Sequence, residues 1–291
     1  MSLPQPPTST ACYRHPHREA GRHCTRCGKP ACGDCLVQAA VGSHCLDCAK
    51  AAKPDVRTRA KYWNAGNRTL ATYVLMGLNI AVFIYMVAKD SGSLGSGREI
   101  TLVQYDLGLF EGAKGGSGLA GGGMADGEWY RLVTSGFLHF GIIHLAFNML
   151  LLYQLGQLLE PALGRARFVL LYFAALFAGS FGALLTAPNS LTGGASGAVF
   201  GLMGAAAVGL HRRGVNVFST GIGTTLLINL VLTFSIRGIS VGGHLGGVIT
   251  GGLCGWVMLA PQWKPSPKWA LWAMPASVLG LSLVLSVAKF G

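Results

Sequence analysis

An all-α polytopic membrane protein behind a small polar domain is the fold this sequence predicts, and three observations carry it. Apolar residues fill 51% of the 291 positions and charged residues only 12%, a balance too apolar for an ordinary soluble domain. The apolar residues gather into seven blocks of roughly 20, the length that crosses a bilayer core. Seven of the eight cysteines crowd between Cys12 and Cys48, ahead of the first block.

The elements follow in order. Residues 1–11 form a Pro, Ser and Thr-rich tail without the apolar core of a cleavable signal peptide. Residues 12–48 hold four ligand pairs: Cys12 with His15, Cys24 with Cys27, Cys32 with Cys35, and Cys45 with Cys48. The two-residue spacer lets both side chains of a pair turn toward one ion, so eight ligands suffice for two tetrahedral zinc sites. A segment this short has little core, and metal binding would supply its folding free energy. Cross-bracing of first pair with third and second with fourth is one arrangement, and His44 is an alternative to Cys45. Such thiol ligation belongs to a reducing compartment, which puts the N-terminus in the cytoplasm. Residues 49–68 are a basic linker carrying Lys50, Lys53, Arg57, Arg59, Lys61 and Arg68.

The first span covers Thr69–Ala88. A long segment from Lys89 to Gly136 follows, with a glycine-rich stretch at Gly112–Gly123 that reads as flexible. The remaining spans are Phe137–Leu159, Phe168–Thr186, Ala195–His211, Phe218–Ser235, Val241–Ala260 and Trp269–Val287. Trp263, Trp269 and Trp272 flank the sixth and seventh, as expected at a membrane interface. With the N-terminus inside, cytoplasmic loops hold Arg165, Arg167, Arg212, Arg213, Lys264 and Lys268, whereas the external loops hold only Arg237 among short-loop bases. The net charge of +12 therefore reads as topology. No nucleic-acid partner is expected, because no basic face carries interleaved aromatics.

In that topology the second, fourth and sixth spans run from outside to inside. His144 and Asn148 lie early in the second, one turn apart on one face. Ser196 opens the fourth and His244 opens the sixth. Gly197 with Gly201, and Gly247 with Gly251, form small-residue faces that let two membrane helices approach closely. Either glycine pair alone is ordinarily packing, and a lone membrane serine ordinarily bonds its own backbone. Two histidines, an asparagine and a serine at one depth point instead to a hydrated reaction site. Serine attacks a carbonyl once a neighbouring base takes its proton, and neutral imidazole is the usual base.

Gly194-Ala195-Ser196-Gly197, Gly243-His244-Leu245-Gly246-Gly247 and the string from Phe137-Leu138-His139-Phe140 to His144-Leu145-Ala146-Phe147-Asn148 together resemble the rhomboid intramembrane protease family. Glu128-Trp129-Tyr130-Arg131 is similar to the family's Trp-Arg element in the first external loop. The resemblance covers roughly Thr69 to Ala260 and implies a rhomboid-like six-helix core over 69–260, with residues 261–291 as an appended seventh helix and tail. It implies Ser196 as nucleophile and His244 as general base, without an acidic third member. His144, Asn148 and the Ser196 backbone N–H would hold the oxyanion, and His139 would brace the loop. Phe200 stands where the family often has Tyr beneath the histidine, and Gly243 where Ala is common. Residues 12–48 resemble a B-box-type zinc finger in ligand spacing.

The expected activity is serine endopeptidase cleavage of transmembrane protein substrates near the external membrane face. Catalysis needs no cofactor, and two structural Zn2+ ions belong to residues 12–48. The zinc domain either docks a cytoplasmic protein or stabilises the chain. A catalytically silent rhomboid-like chaperone and a membrane-anchored zinc-finger adaptor are the alternatives. A proton-relay transporter would need inverted repeats or acidic broken helices, which the sequence lacks. The expected location is the bacterial cell membrane.

Overall fold

The computed structural model describes residues 10–39, 41–52, 69–95, 100–112, 122–236 and 238–291. The tail before residue 10, linker residues 53–68, glycine-rich positions 113–121 and Arg237 lie outside the described residues. The chain divides into two compact units, one within Met1–Asn67 and one within Arg68–Gly291.

The first unit is built around its cysteines. Strands β1 (Arg22–His23) and β2 (Pro30–Ala31) pair antiparallel, and so do β3 (Leu36–Gln38) and β4 (Ser43–Cys45), followed by the short helix α1 (Leu46–Ala51). Each hairpin places ligand residues at its ends: Cys24 and Cys27 lie between β1 and β2, and Cys45 closes β4. The Cys45 sulfur accepts from the Cys48 N–H at 3.5 Å and so caps α1. One buried cluster consists of Cys12, Ala31, Cys32 and Cys35, with Tyr13, Leu36 and Leu46 against it. So little apolar burial cannot offset the chain entropy of this unit. The exposed pairs Arg18–Asp34 and Lys29–Asp47 add little.

The second unit contains α2 (Leu70–Lys89), α3 (Leu102–Leu107), α4 (Arg131–Thr134), α5 (Ile142–Leu163), α6 (Arg165–Thr186), α7 (Ser196–His211), α8 (Ile222–Ser235), α9 (Val241–Met258) and α10 (Ala270–Phe290). Four of them, α2, α5, α6 and α10, are long and apolar enough to cross a membrane, with mean hydropathy between 1.5 and 2.1. Helices α7 and α8 are apolar but shorter. Large apolar side chains face outward, among them Val74, Ile84, Leu227, Val231, Phe234, Leu281 and Val284. Asn79, His139, Asn148, Glu160 and His244 are buried instead. An apolar exterior around a partly polar interior suits lipid as the surrounding solvent. The protein is an integral membrane protein.

Two helices begin later than the hydropathy blocks. The segment 137–141 stays outside α5 because Gly141, at φ +92°, turns the chain before the helix starts. Such a conformation suits glycine and stops helical propagation. Similarly, the Asn216 side chain accepts from the Phe218 N–H and caps a 3-10 turn at Val217–Thr220, which delays α8 to Ile222. Hydropathy records burial in lipid and does not see these polar breaks.

Helix α7 is central: eleven of its sixteen residues are buried. It packs against α6 and α9 with almost no side chain between the backbones. A methyl group added at Gly255 would sit 2.6 Å from the Ala205 Cα, and one at Gly247 or Gly251 would land on the backbone oxygen of Gly197 or Gly201. Three small residues at four-residue spacing on each helix thus face one another. The opposite end of the bundle is held by Glu160 of α5, which is 1% exposed. Its carboxylate accepts from the N–H groups of Ala71 and Thr72 at 2.8 Å and from the Thr72 hydroxyl at 2.7 Å. The anion thereby caps the start of α2 across 88 residues of chain.

Gly251→Val should destabilise the protein by about 1–3 kcal/mol or more through overpacking against backbone, seen as earlier thermal unfolding in detergent. Glu160→Ala should cost about 1.5–3 kcal/mol per charged hydrogen bond lost, and Glu160→Gln less, in the same measurement.

Candidate active site

Helix α7 starts at Ser196 because Gly194 delivers the chain to it at φ +132°, a conformation that disfavours any side chain. The Gly194 N–H donates to the Ser135 carbonyl at 2.7 Å, and Leu109 and Thr192 exchange two hydrogen bonds of 2.8 Å. The segment entering α7 is therefore tied to the loop that precedes α5. As the first helical residue, Ser196 has a backbone N–H without an intrahelical acceptor, at the positive end of the helix dipole.

His244 lies in the first turn of α9 and is buried. Its Nε2 stands 2.9 Å from Ser196 Oγ, although the two residues are 48 apart in the chain. The close α7–α9 packing brings them together. Phe200, one turn after Ser196, stacks on the His244 ring with centroids 3.9 Å apart and planes 15° from parallel. Nδ1 on the other side of the imidazole lies 2.7 Å from the hydroxyl oxygen of Thr233 in α8.

His144 approaches from α5. The Phe140 N–H donates to His144 Nδ1 at 3.3 Å, so in the neutral ring the proton sits on Nε2. A methyl group at Gly194 would lie 2.9 Å from that Nε2 and 3.6 Å from Ser196 Oγ. His144 Nε2 and Ser196 Oγ thus both border Gly194. Asn148 is buried one turn later, and its amide donates to the His144 carbonyl at 3.0 Å, leaving its second N–H for another acceptor. His139 is fully buried, donates through Nδ1 to the Phe137 carbonyl at 3.2 Å, and meets the His144 ring edge-on at 5.0 Å.

Trp129 and Arg131 separate in role. Arg131 is 3% exposed and binds the Glu128 carboxylate at 2.6 Å and the carbonyls of Tyr105 and Gly108 at 2.6 and 2.7 Å. It also lies over the Phe110 ring, 4.8 Å from its centroid. A single guanidinium thus ties Tyr105, Gly108, Phe110 and Glu128 together, using its fixed fork of donors. Trp129 is half exposed and makes no part of the serine–histidine cluster among the described residues.

In the first unit the ligand atoms form two groups, Cys12, His15, Cys32 and Cys35, and Cys24, Cys27, Cys45 and Cys48, with all atoms of a group within 4.8 Å. His44 stays outside both. Tetrahedral zinc with ordinary bond lengths would set sulfurs about 3.8 Å apart and sulfur to nitrogen about 3.6 Å. The Cys27 and Cys45 sulfurs are 3.7 Å apart, and His15 Nδ1 lies 3.4 to 3.9 Å from its three sulfurs. Both groups fit a four-coordinate metal.

Thr233 and Glu160 carry no signal in the sequence patterns, and Glu128 enters there only as a neighbour of Trp129 and Arg131. The resemblance implies a dyad without an acidic third member, and the group beside His244 Nδ1 is a hydroxyl on α8. Thr233 shares α8 with Thr224, Thr225, Asn229 and Ser235, so polarity along the sequence does not single it out.

Residues 126–261 match a family model described as the rhomboid domain. The chain is 36% identical to rhomboid protease GluP of Bacillus subtilis (strain 168) over 198 residues, which is 67% of this chain and 36% of that protein's length. It is 36% identical to the putative rhomboid protease YdcA of the same organism over 142 residues, 47% of this chain and 69% of that protein. It is 34% identical to Rhomboid-like protease 1 of Toxoplasma gondii over 178 residues, 57% of this chain and 59% of that protein. Likeness of this extent, across the helices that carry Ser196 and His244, makes the chain a member of the rhomboid family.

Proposed function

We propose that this protein is an intramembrane serine endopeptidase that cleaves transmembrane substrates near the external face of the membrane. The 2.9 Å contact between Ser196 Oγ and His244 Nε2 carries the reading. In it, His244 takes the Ser196 proton as Oγ bonds to a substrate carbonyl carbon, and later gives that proton to the leaving amine. Oxyanion charge develops beside the His144 N–H, the Asn148 amide and the Ser196 backbone N–H. Phe200 supports the imidazole from below. A substrate must locally unwind, since helical carbonyls are engaged in hydrogen bonds, so small or helix-weakening residues near the cut site are favoured. Relatives named as rhomboid proteases support the same activity.

The reading takes seven helices, α2 and α5 to α10, as spans, six as a core and α10 as an addition, in a bacterial cell membrane with the N-terminus cytoplasmic. Residues 12–48 form a cytoplasmic domain holding two structural Zn2+ ions, one at each ligand group, which stabilise it and leave its surface free for a cytoplasmic partner. The metal supplies folding free energy only, and no step of proteolysis passes through it.

Reconstituted protein should cleave a model transmembrane substrate, while Ser196→Ala and His244→Ala give no product above background; equal product from the Ser196→Ala variant would end the proposal. His144→Ala should lower kcat by about 100-fold or more, the loss typical of one oxyanion donor, with binding of the uncleaved substrate retained. A strong chelator should release two equivalents of zinc and abolish the circular dichroism of an isolated 1–52 segment if that segment folds when loaded, and cleavage by a chain starting at residue 53 should persist.

A further inference from the structure

Helix α8 shows most of its surface outward, and of its fourteen residues only Gly223 and Thr233 are buried. The Thr233 hydroxyl has two neighbours. Its Oγ1 lies 2.7 Å from the carbonyl oxygen of Asn229, one turn earlier, and 2.7 Å from His244 Nδ1. A hydroxyl carries one proton, and a carbonyl oxygen can only accept. The Thr233 proton is therefore committed to Asn229, and the contact with His244 exists only if Nδ1–H donates to Oγ1. A neutral imidazole carries a single ring proton, so Nε2 is left bare, with its lone pair toward Ser196 Oγ at 2.9 Å.

We infer that Thr233 is a positioning residue that fixes the His244 tautomer and ring orientation, standing where soluble serine hydrolases place a carboxylate. This inference rests on the proposed hydrolytic role of Ser196 and His244. When Oγ bonds to the carbonyl carbon, the serine proton moves to Nε2 and the carbonyl π pair becomes the oxyanion. Both imidazolium N–H groups then have acceptors: Nδ1–H keeps Thr233 Oγ1, and Nε2–H faces the departing nitrogen. The C–N bond breaks as that proton reaches the amine, and water repeats the sequence on the acyl ester. Thr233 neither gains nor loses a proton in any step. A hydroxyl polarised by its own donation to Asn229 orients the base without burying a second charge in apolar surroundings, which would be costly.

The test uses the full-length reconstituted protein and two variants. Thr233→Val keeps the shape and removes the hydroxyl, and Thr233→Ser restores it. With a transmembrane substrate, Thr233→Val should lower kcat by about 10–100-fold, the range known for hydrogen-bond partners behind functional histidines at metal sites, with KM little changed. Thr233→Ser should recover most of the rate. Nitrogen-15 NMR of ring-labelled histidine, with His244 assigned by its loss in His244→Ala, should show the proton on Nδ1 in wild type and a mixture in Thr233→Val. Wild-type rate and tautomer in Thr233→Val would overturn the inference, as would a wild-type spectrum with the proton on Nε2, which needs no variant. If wild type cleaves nothing, the proteolytic proposal fails, whereas the spectrum still decides whether Thr233 sets the tautomer.

Discussion

Direct contact between the backbones of α7 and α9 is the constraint on which the rest of the second unit depends. Gly197, Gly201 and Ala205 face Gly247, Gly251 and Gly255, and any larger side chain on α9 would strike the α7 backbone. In lipid no hydrophobic drive brings two apolar helices together, so close van der Waals contact has to do so. The same approach sets the separation of Ser196 and His244, because each lies within one turn of the contact. Glycine is thus a packing requirement at these positions, and the spacing of Ser196 and His244 follows from that packing.

Several buried polar groups inside this unit find partners close by, which offsets the cost of taking them out of water. Glu160 finds the free N–H groups of α2. Arg131 finds Glu128 and two carbonyls, and so turns the loop before α5 into a fixed platform. That platform reaches the start of α7 through the Ser135 carbonyl, which holds the Gly194 N–H. His144 accepts from Phe140 at Nδ1 and so keeps its proton on Nε2, the atom that borders Gly194. The network around the serine–histidine pair thus decides which atoms donate and which accept before any substrate arrives.

The cysteine-rich unit follows a different rule. Its buried cluster is Cys12, Ala31, Cys32 and Cys35, all but Ala31 candidate ligands, so the ligand geometry and the fold are one object. The helices of the membrane unit are held by packing and buried hydrogen bonds.

Much of this was legible in the chain itself. Seven apolar blocks, two glycine faces and four paired ligand motifs are patterns in local sequence, and polarity and spacing alone give them meaning. Ser196 and His244 could be singled out because polar groups at one depth in apolar segments are costly without a purpose. The start of α5 was read too early, since hydropathy does not register the turn at Gly141. Tertiary structure decided that Cys45 and not His44 joins the second ligand group, that Arg131 is buried while Trp129 is not, and that Thr233 meets His244. Those outcomes depend on the rotation of one helix or hairpin against another, and a one-dimensional pattern specifies which face is apolar but not which atom on it meets which partner.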